Sequence, residues 1–230
     1  DSGGFQAYSL IHQNAQFGSL TDKGILFRPE GKDRKFILSP EKSIQLQVSY
    51  DTDVVICLDD CTHVDAPREE QELSVSRTLD WAKRCKTEFT RQMDQRQVEP
   101  ADRPLIFGVI QGGGYPDLRR KCAEGLLEIG FDGFGYGGWP LDGEGNLLED
   151  IVGLTRELVP GRFPMHALGI GHPLNLVKTY ALGYEIFDCA LPTRDARHGR
   201  LMRFASPPEE PLSGEDWLEF VYISDKKHIK

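Results

Sequence analysis

The chain has 230 residues, enough to bury a full core and to form one domain or most of a large one. Hydrophobic residues make up 39% and charged residues 27%, and no apolar run reaches the length of a membrane-spanning helix, so no membrane partner is expected. A formal net charge of −9 excludes indiscriminate attraction to nucleic acid and leaves only local basic patches for such a partner.

The opening Asp-Ser-Gly-Gly lacks the basic and apolar start of a secretory leader. Cys57, Cys61, Cys85, Cys122 and Cys189 are odd in number and sit in apolar surroundings, which suits the reduced thiols of a cytoplasmic protein. No Cys-x-x-Cys pair is present, so a thiolate zinc site within the chain is not expected.

In chain order, Ser39-Pro40 is a helix-start signal, a capping hydroxyl followed by a first-turn proline. It outweighs the strand-like alternation of Ile44, Leu46 and Val48, and a helix is expected there. Val54–Leu58 reads as a buried strand. Val75, Leu79, Ala82, Phe89 and Met93 then recur at helical spacing, with Trp81 and Cys85 beside the stripe. Leu105–Ile110 is a second buried strand, and Leu118, Cys122, Leu126 and Ile129 form a second helical stripe. Shorter strands are expected at Gly133–Gly137, His166–Ile170 and Glu185–Phe187, and helices at Leu147–Leu158 and Pro173–Leu182. The Pro/Glu-rich stretch Ser206–Ser213 marks the edge of the core. Residues 1–205 are thus read as one catalytic domain and 206–230 as a segment leading out of it.

Repeated strand–helix units imply an α/β fold with a parallel sheet covered by helices. Polar residues and glycines gather just after the strands, at Asp59-Asp60-Cys61, Gln111-Gly112-Gly113, Gly137-Gly138-Trp139, Gly169-Ile170-Gly171 and Asp188-Cys189. A (β/α)8 TIM barrel builds its site from the carboxyl ends of several strands, whereas a doubly wound sheet concentrates it at one switch point. The barrel is the better fit. Fewer than eight strands are legible and none precedes Asp1, so the barrel is expected to be incomplete at its amino terminus.

Asp1, Asp59 and Asp188 fall on the same expected face. Carboxylates across a sugar are what displacement at an anomeric carbon requires: one attacks the carbon while another handles the leaving group's proton. Rival chemistries lack parts. No expected strand ends in a lysine that could form a Schiff base. His63, His166, His172 and His198 have no paired ligand spacing, so no metal site is expected and they read as structural or binding residues. Arg194, Arg197, Arg200 and Arg203 form a basic cluster, as do Lys226, Lys227, His228 and Lys230.

Six segments stand in order along the chain: DSGGFQ at Asp1–Gln6, ILSPEKSIQLQ at Ile37–Gln47, LDDCT at Leu58–Thr62, GVIQGG at Gly108–Gly113, IGFDGFGYGG at Ile129–Gly138 and FDCALPTRDARHG at Phe187–Gly199. In sequence and separation they resemble the signatures of the tRNA-guanine transglycosylases, over nearly the whole chain up to about Leu201. The resemblance implies a TIM-barrel enzyme that exchanges a guanine in tRNA for a 7-deazaguanine through a covalent RNA–enzyme intermediate. It implies Asp188 as nucleophile, Asp1 as general acid/base and Phe5 as the aromatic stacked on the base. Asp59 would hold the base, Cys61 line the pocket, and Gln111 and Gly138 contact the heterocycle's edges. Arg194 and Arg197 would meet RNA phosphates. The reaction needs no nucleotide cofactor, and the family often acts as a dimer.

Two departures stand out. Trp139 and then Pro140 follow the Gly-Gly pair where the family has a small aliphatic residue, so Trp139 is expected to bound the base pocket. The family also carries a zinc subdomain beyond the barrel, for which this stretch has no cysteine set; zinc is expected only of a longer chain. Alternative readings are the same exchange on DNA or another RNA position, a non-catalytic partner subunit, and a small-molecule glycosidase on the same barrel. Phe5 beside an arginine cluster favours a nucleic acid.

Overall fold

A computed structural model describes residues 2–28, 35–206 and 217–225. Asp1, the basic group Lys226 to Lys230 and most of the Pro/Glu-rich stretch lie outside the described residues. The chain begins with helix α1 (Gly4–Gln13), a three-stranded antiparallel sheet of β1 (Gly18–Thr21), β2 (Gly24–Phe27) and β3 (Phe36–Leu38), and helix α2 (Pro40–Ser49). Strand–helix alternation follows: β4 (Val54–Ile56), α3 (Arg68–Gln95), β5 (Leu105–Ile110), α4 (Pro116–Ile129), β6 (Gly133–Tyr136), α5 (Glu149–Glu157), β7 (Met165–Ala167), α6 (Pro173–Ala181), β8 (Ile186–Phe187) and α7 (Leu191–Arg197). Strand β9 (Arg200–Phe204) pairs with β10 (Leu218–Tyr222) as an antiparallel hairpin.

Strands β4 to β8 form one parallel sheet in chain order. Right-handed crossovers between successive neighbours put every connecting helix on the same face, so the sheet curls away from them as a half-barrel. The two faces are distinct in sequence. Val55, Ile106, Ile110, Phe134, Tyr136, Met165 and Ala167 point outward into the main core, against Val75, Trp81, Cys85 and Phe89 of α3 and Cys122 and Leu126 of α4. Ile56, Phe107 and Val109 form a separate apolar cluster with Val54 and Leu168 on the inward face. On the same inward face β6 carries only glycines, at 133, 135 and 137. A Cβ at Gly133 would lie 2.4 Å from the Phe107 ring, and one at Gly137 2.6 Å from Gln111 Nε2, so neighbouring side chains lie flat across the bare strand.

Helix α2 starts as its sequence indicates: Ser39 Oγ accepts from Lys42 N at 3.2 Å, with Pro40 in the first turn. The alternation of Ile44, Leu46 and Val48 misleads because polar residues occupy buried positions. Ser43 and Gln47 are buried with Ile44 and Val48, a helical stripe. Gln47 works for the sheet: its Nε2 donates to Ile56 O and its Oε1 accepts from Ile56 N, each at 2.8 Å, closing that edge of β4. The antiparallel sheet is tied to α3, where Trp81 Nε1 donates to Asp22 O at 2.9 Å and Arg84 Nη1 to the same oxygen at 2.8 Å.

Four of the five expected strands are shorter than expected, β6 and β8 by a single residue. The first ends at Ile56, although Cys57 N still donates to Phe107 O at 3.0 Å. The strand expected over His166–Ile170 instead spans Met165–Ala167, because Gly169 turns the chain with a φ of +75°. Helices α1 and α7, the amino-terminal sheet and the β9–β10 hairpin were not signalled by periodicity.

Candidate active site

Side-chain alternation decides which residues meet at the carboxyl edge of the sheet. Gln111 continues the inward parity of Phe107 and Val109, Gly137 that of Gly133 and Gly135, and Asp188 that of Ile186. His166 pairs with Ile186 across β7 and β8, so His166 and Asp188 share that face.

Asp188 is fixed through one oxygen. His166 Nε2 lies 2.9 Å from Asp188 Oδ1, and Gly169 N donates to the same atom at 3.1 Å. The His166 hydrogen bond, opposed by partial burial and aided by Gly169 N, holds the carboxyl below the usual carboxylate range. The side chain is 61% exposed, so an ionised and aimed carboxylate stands open to a ligand.

Asp59 is held differently. Its Oδ2 accepts from Gln111 Nε2 at 2.6 Å. Burial pushes its carboxyl up to about 6 against that hydrogen bond, and the neighbouring charge of Asp60 pushes the same way. Asp60 turns into the structure, where Arg77 Nη1 donates to its Oδ2 at 2.5 Å, Ser74 Oγ donates to its carbonyl at 2.6 Å, and its amide donates to Thr78 Oγ1 at 3.0 Å. Of the two acids, Asp59 faces the site and Asp60 anchors its loop. The Cys61 thiol is buried beside them; burial first, then the charges of Asp59 and Asp60, keep it protonated.

Gln111 is fully buried and its Oε1 has no partner among the described residues. That oxygen lies 3.2 Å from where a Cβ on Gly138 would stand, and Gly138 has a φ of +87°. A side chain at 138 would be strained and would crowd the amide, so glycine keeps this wall bare. Beneath it lies Arg119, which sequence reasoning missed. Fully buried, it donates from Nε to Gly113 O at 2.9 Å and from Nη1 to Ile110 O at 2.6 Å and Gly137 O at 2.9 Å. Its guanidinium lies 4.2 Å from the centre of the Tyr136 ring. Gln71 was missed too: it accepts from Thr62 Oγ1 at 2.6 Å and donates to His63 O at 2.7 Å, fixing the loop that carries Asp59 and Cys61. Neither signals itself in sequence, since an Arg or Gln on a helix reads as solvent-facing until its neighbours are known.

Phe5 and Trp139 meet at the mouth. Their ring centres are 6.2 Å apart at 28°, and His63 also stacks with the indole, at 5.9 Å and 28°. Arg194 and Arg197 are exposed on α7, just past Asp188, and neither is paired among the described residues. The cluster's other members are occupied, Arg200 with Asp195 at 2.6 Å and Arg203 with Glu219. The structure thus brings Asp59, Cys61, Gln111 and Gly138 together, with Phe5 and Trp139 in contact next to Gly138; Asp188 follows β8 on the same sheet edge. No described group of three or more His, Cys, Asp or Glu side chains is arranged for a metal ion.

The described profile of a known family, "TGT: Queuine tRNA-ribosyltransferase", matches residues 1–228. A protein named queuine tRNA-ribosyltransferase in Lysinibacillus sphaericus is 38% identical over 202 residues, 88% of this chain and 50% of that protein. A protein of the same name in Solidesulfovibrio magneticus is 37% identical over 206 residues, covering 89% and 52% respectively. One in Shewanella sp. is 38% identical over 201 residues, covering 87% and 50%. The chain spans about half the length of these relatives.

Proposed function

The chain belongs to the queuine tRNA-ribosyltransferase family, and on that footing we propose that it forms the central part of a catalytic barrel that exchanges a guanine in tRNA for a 7-deazaguanine. Strands outside this stretch would complete the eight of the barrel. The observation that carries the reading is Asp188: an accessible carboxylate pinned by His166 and Gly169, on the same strand edge as the part-buried Asp59–Gln111 pair.

In this reading the ionised Asp188 attacks C1′ of the target nucleotide. The bond from C1′ to guanine breaks, its electron pair leaves with the base, and the base takes a proton. A covalent RNA–Asp188 ester results. The incoming base then loses its ring proton and attacks C1′, the ester bond breaks, and Asp188 is restored. One glycosidic bond replaces another, so no nucleoside triphosphate is consumed. By the resemblance, Asp1 would carry the proton in both directions. A guanine-like base presents a ring N–H and an exocyclic amine on one edge, and ionised Asp59 can accept both. The partnerless Gln111 Oε1 offers a further acceptor, and its amide retains a second N–H for a carbonyl. Phe5 supplies a flat face for a base taken out of its stack.

The test uses the full-length protein with labelled guanine and bulk tRNA, and with DNA in a parallel arm. Asp188→Asn is expected to abolish exchange into tRNA and the covalent RNA adduct while unfolding at the wild-type temperature. A variant that keeps more than a few per cent of exchange removes Asp188 from the nucleophile's role, and exchange into DNA instead of tRNA overturns the choice of nucleic acid.

A further inference from the structure

Beyond the pocket that would hold the exchanged base, a row of rings crosses the mouth of the site. Trp139 stacks with both Phe5 and His63, and Phe5 also contacts Tyr8, with ring centres 6.5 Å apart. These rings are not buried packing: Phe5 is 45% exposed, Trp139 39%, and the His63 side chain 40%. Trp81 shows how this chain treats a packing indole, fully buried with its N–H on a carbonyl. The Trp139 N–H has no such partner among the described residues.

Trp139 is also held from both sides of its backbone. Before it, Gly137 N donates to Ile110 O at 2.9 Å and Gly137 O accepts from Arg119. After it, Pro140 O accepts from Leu148 N at 3.0 Å and Leu141 pairs with Leu147. The turn beyond is closed by Asp142, whose Oδ1 accepts from Glu144 N and Asn146 N at 2.9 and 2.8 Å. His63 is held in its own turn by Asp65 N, which donates to Nδ1 at 3.3 Å. A rigid, half-exposed aromatic face costs little order on binding, which is what a stacking platform requires.

The geometry points to an outer subsite, formed by Trp139 and His63, that stacks an unpaired nucleobase of the RNA strand next to the exchanged nucleotide. This rests on the base-exchange reading for the identity of the strand. The charge around the rings selects the base over its phosphate. Asp65 stands against His63, and the Glu70 carboxylate lies close enough to act on Tyr8. Phosphates would be repelled there and would find Arg194 and Arg197 instead. Trp139 thus reads the neighbour of the target, and its stacking adds to affinity independently of salt.

Equilibrium binding to the full-length protein, without free base, separates the possibilities. The probe is a labelled RNA hairpin with one guanine in its unpaired loop, compared with hairpins made abasic on either side of that guanine. Trp139→Ala is expected to weaken the intact hairpin about tenfold at every salt concentration. It should lose nothing more when the stacked flank is abasic, and Trp139→Phe should retain most of the affinity. If the abasic flank costs the same in wild type and Trp139→Ala, or if wild type does not distinguish intact from abasic flanks, the subsite is overturned. Because no exchange is read, a protein that fails to exchange guanine yet shows the flank effect would sink the base-exchange reading and keep the subsite.

Discussion

Asp59 and Asp188 leave the same edge of one sheet, yet burial and hydrogen bonding move their carboxyls in opposite directions from the ordinary value. For Asp188 the consequence is a carboxylate already ionised and oriented, as a nucleophile must be. For Asp59 it is a pH dependence. With its carboxyl at about 6, Asp59 is protonated below that value and gives up acceptor capacity toward a base; above it both oxygens accept. Affinity for a free 7-deazaguanine should therefore rise with pH through about 6 and level off above it, and Asp59→Asn should bind weakly and without that dependence. Calorimetric titration across this range checks it, and a flat wild-type profile would take Asp59 out of base recognition. Stability has the same origin. The folded chain holds the Asp59 proton more tightly than the unfolded chain, so this group's contribution to stability falls as pH rises from about 3.8 to about 6.

Between elements, the site depends on interior polar side chains that join loops from separate strands. Arg119 on α4 bonds the carbonyls of Ile110, Gly113 and Gly137, so one guanidinium holds the ends of β5 and β6 in register. Replacing it removes charged hydrogen bonds and leaves the Gly113 and Gly137 carbonyls without donors, while Ile110 O keeps only Gly137 N. Arg119→Met should destabilise the fold by about 3 kcal/mol or more in urea titration. Arg119→Lys should recover only part of the loss, because a single ammonium lacks the planar fork. If Arg119→Met unfolds at the wild-type urea concentration, the clamp is not what orders these loops. Gln47 does comparable work at the edge of β4, and Gln71 in the loop after it.

For the whole molecule, a net charge of −9 means that the RNA of the proposed function would have to be met locally. Ion pairing within the arginine cluster narrows the choice, since Arg200 and Arg203 are matched by Asp195 and Glu219 while Arg194 and Arg197 stand exposed beside Asp188. Each phosphate contact on a single strand contributes about −0.7 to the slope of log affinity against log salt. Replacing Arg194 and Arg197 together by alanine should flatten that slope by about 1.4 and weaken binding most at low salt. An unchanged slope would place the phosphates elsewhere. In the proposed reading the aromatic row and this pair of arginines would be separate contributors, one insensitive to salt and one governed by it.

The amino-acid sequence by itself determined the alternation of strand and helix, the parallel sheet, and the family, because hydrophobic period, caps and ordered motifs are local properties of the chain. The placement of Asp59, Gln111, Gly138 and Asp188 at the carboxyl edge of the sheet was legible for the same reason, each following a recognisable strand. The amino-terminal sheet and the β9–β10 hairpin were not, since their short strands are stabilised by partners distant in the chain, such as Trp81 and Arg84 against Asp22. Only the tertiary structure decided that Asp60 anchors while Asp59 faces the site, and that His166 orients Asp188. It alone revealed that Arg119, Gln47 and Gln71 are interior, and that Trp139 contacts both Phe5 and His63. A polar side chain's role depends on which unpaired groups folding brings within hydrogen-bond reach, and those groups come from residues far along the chain.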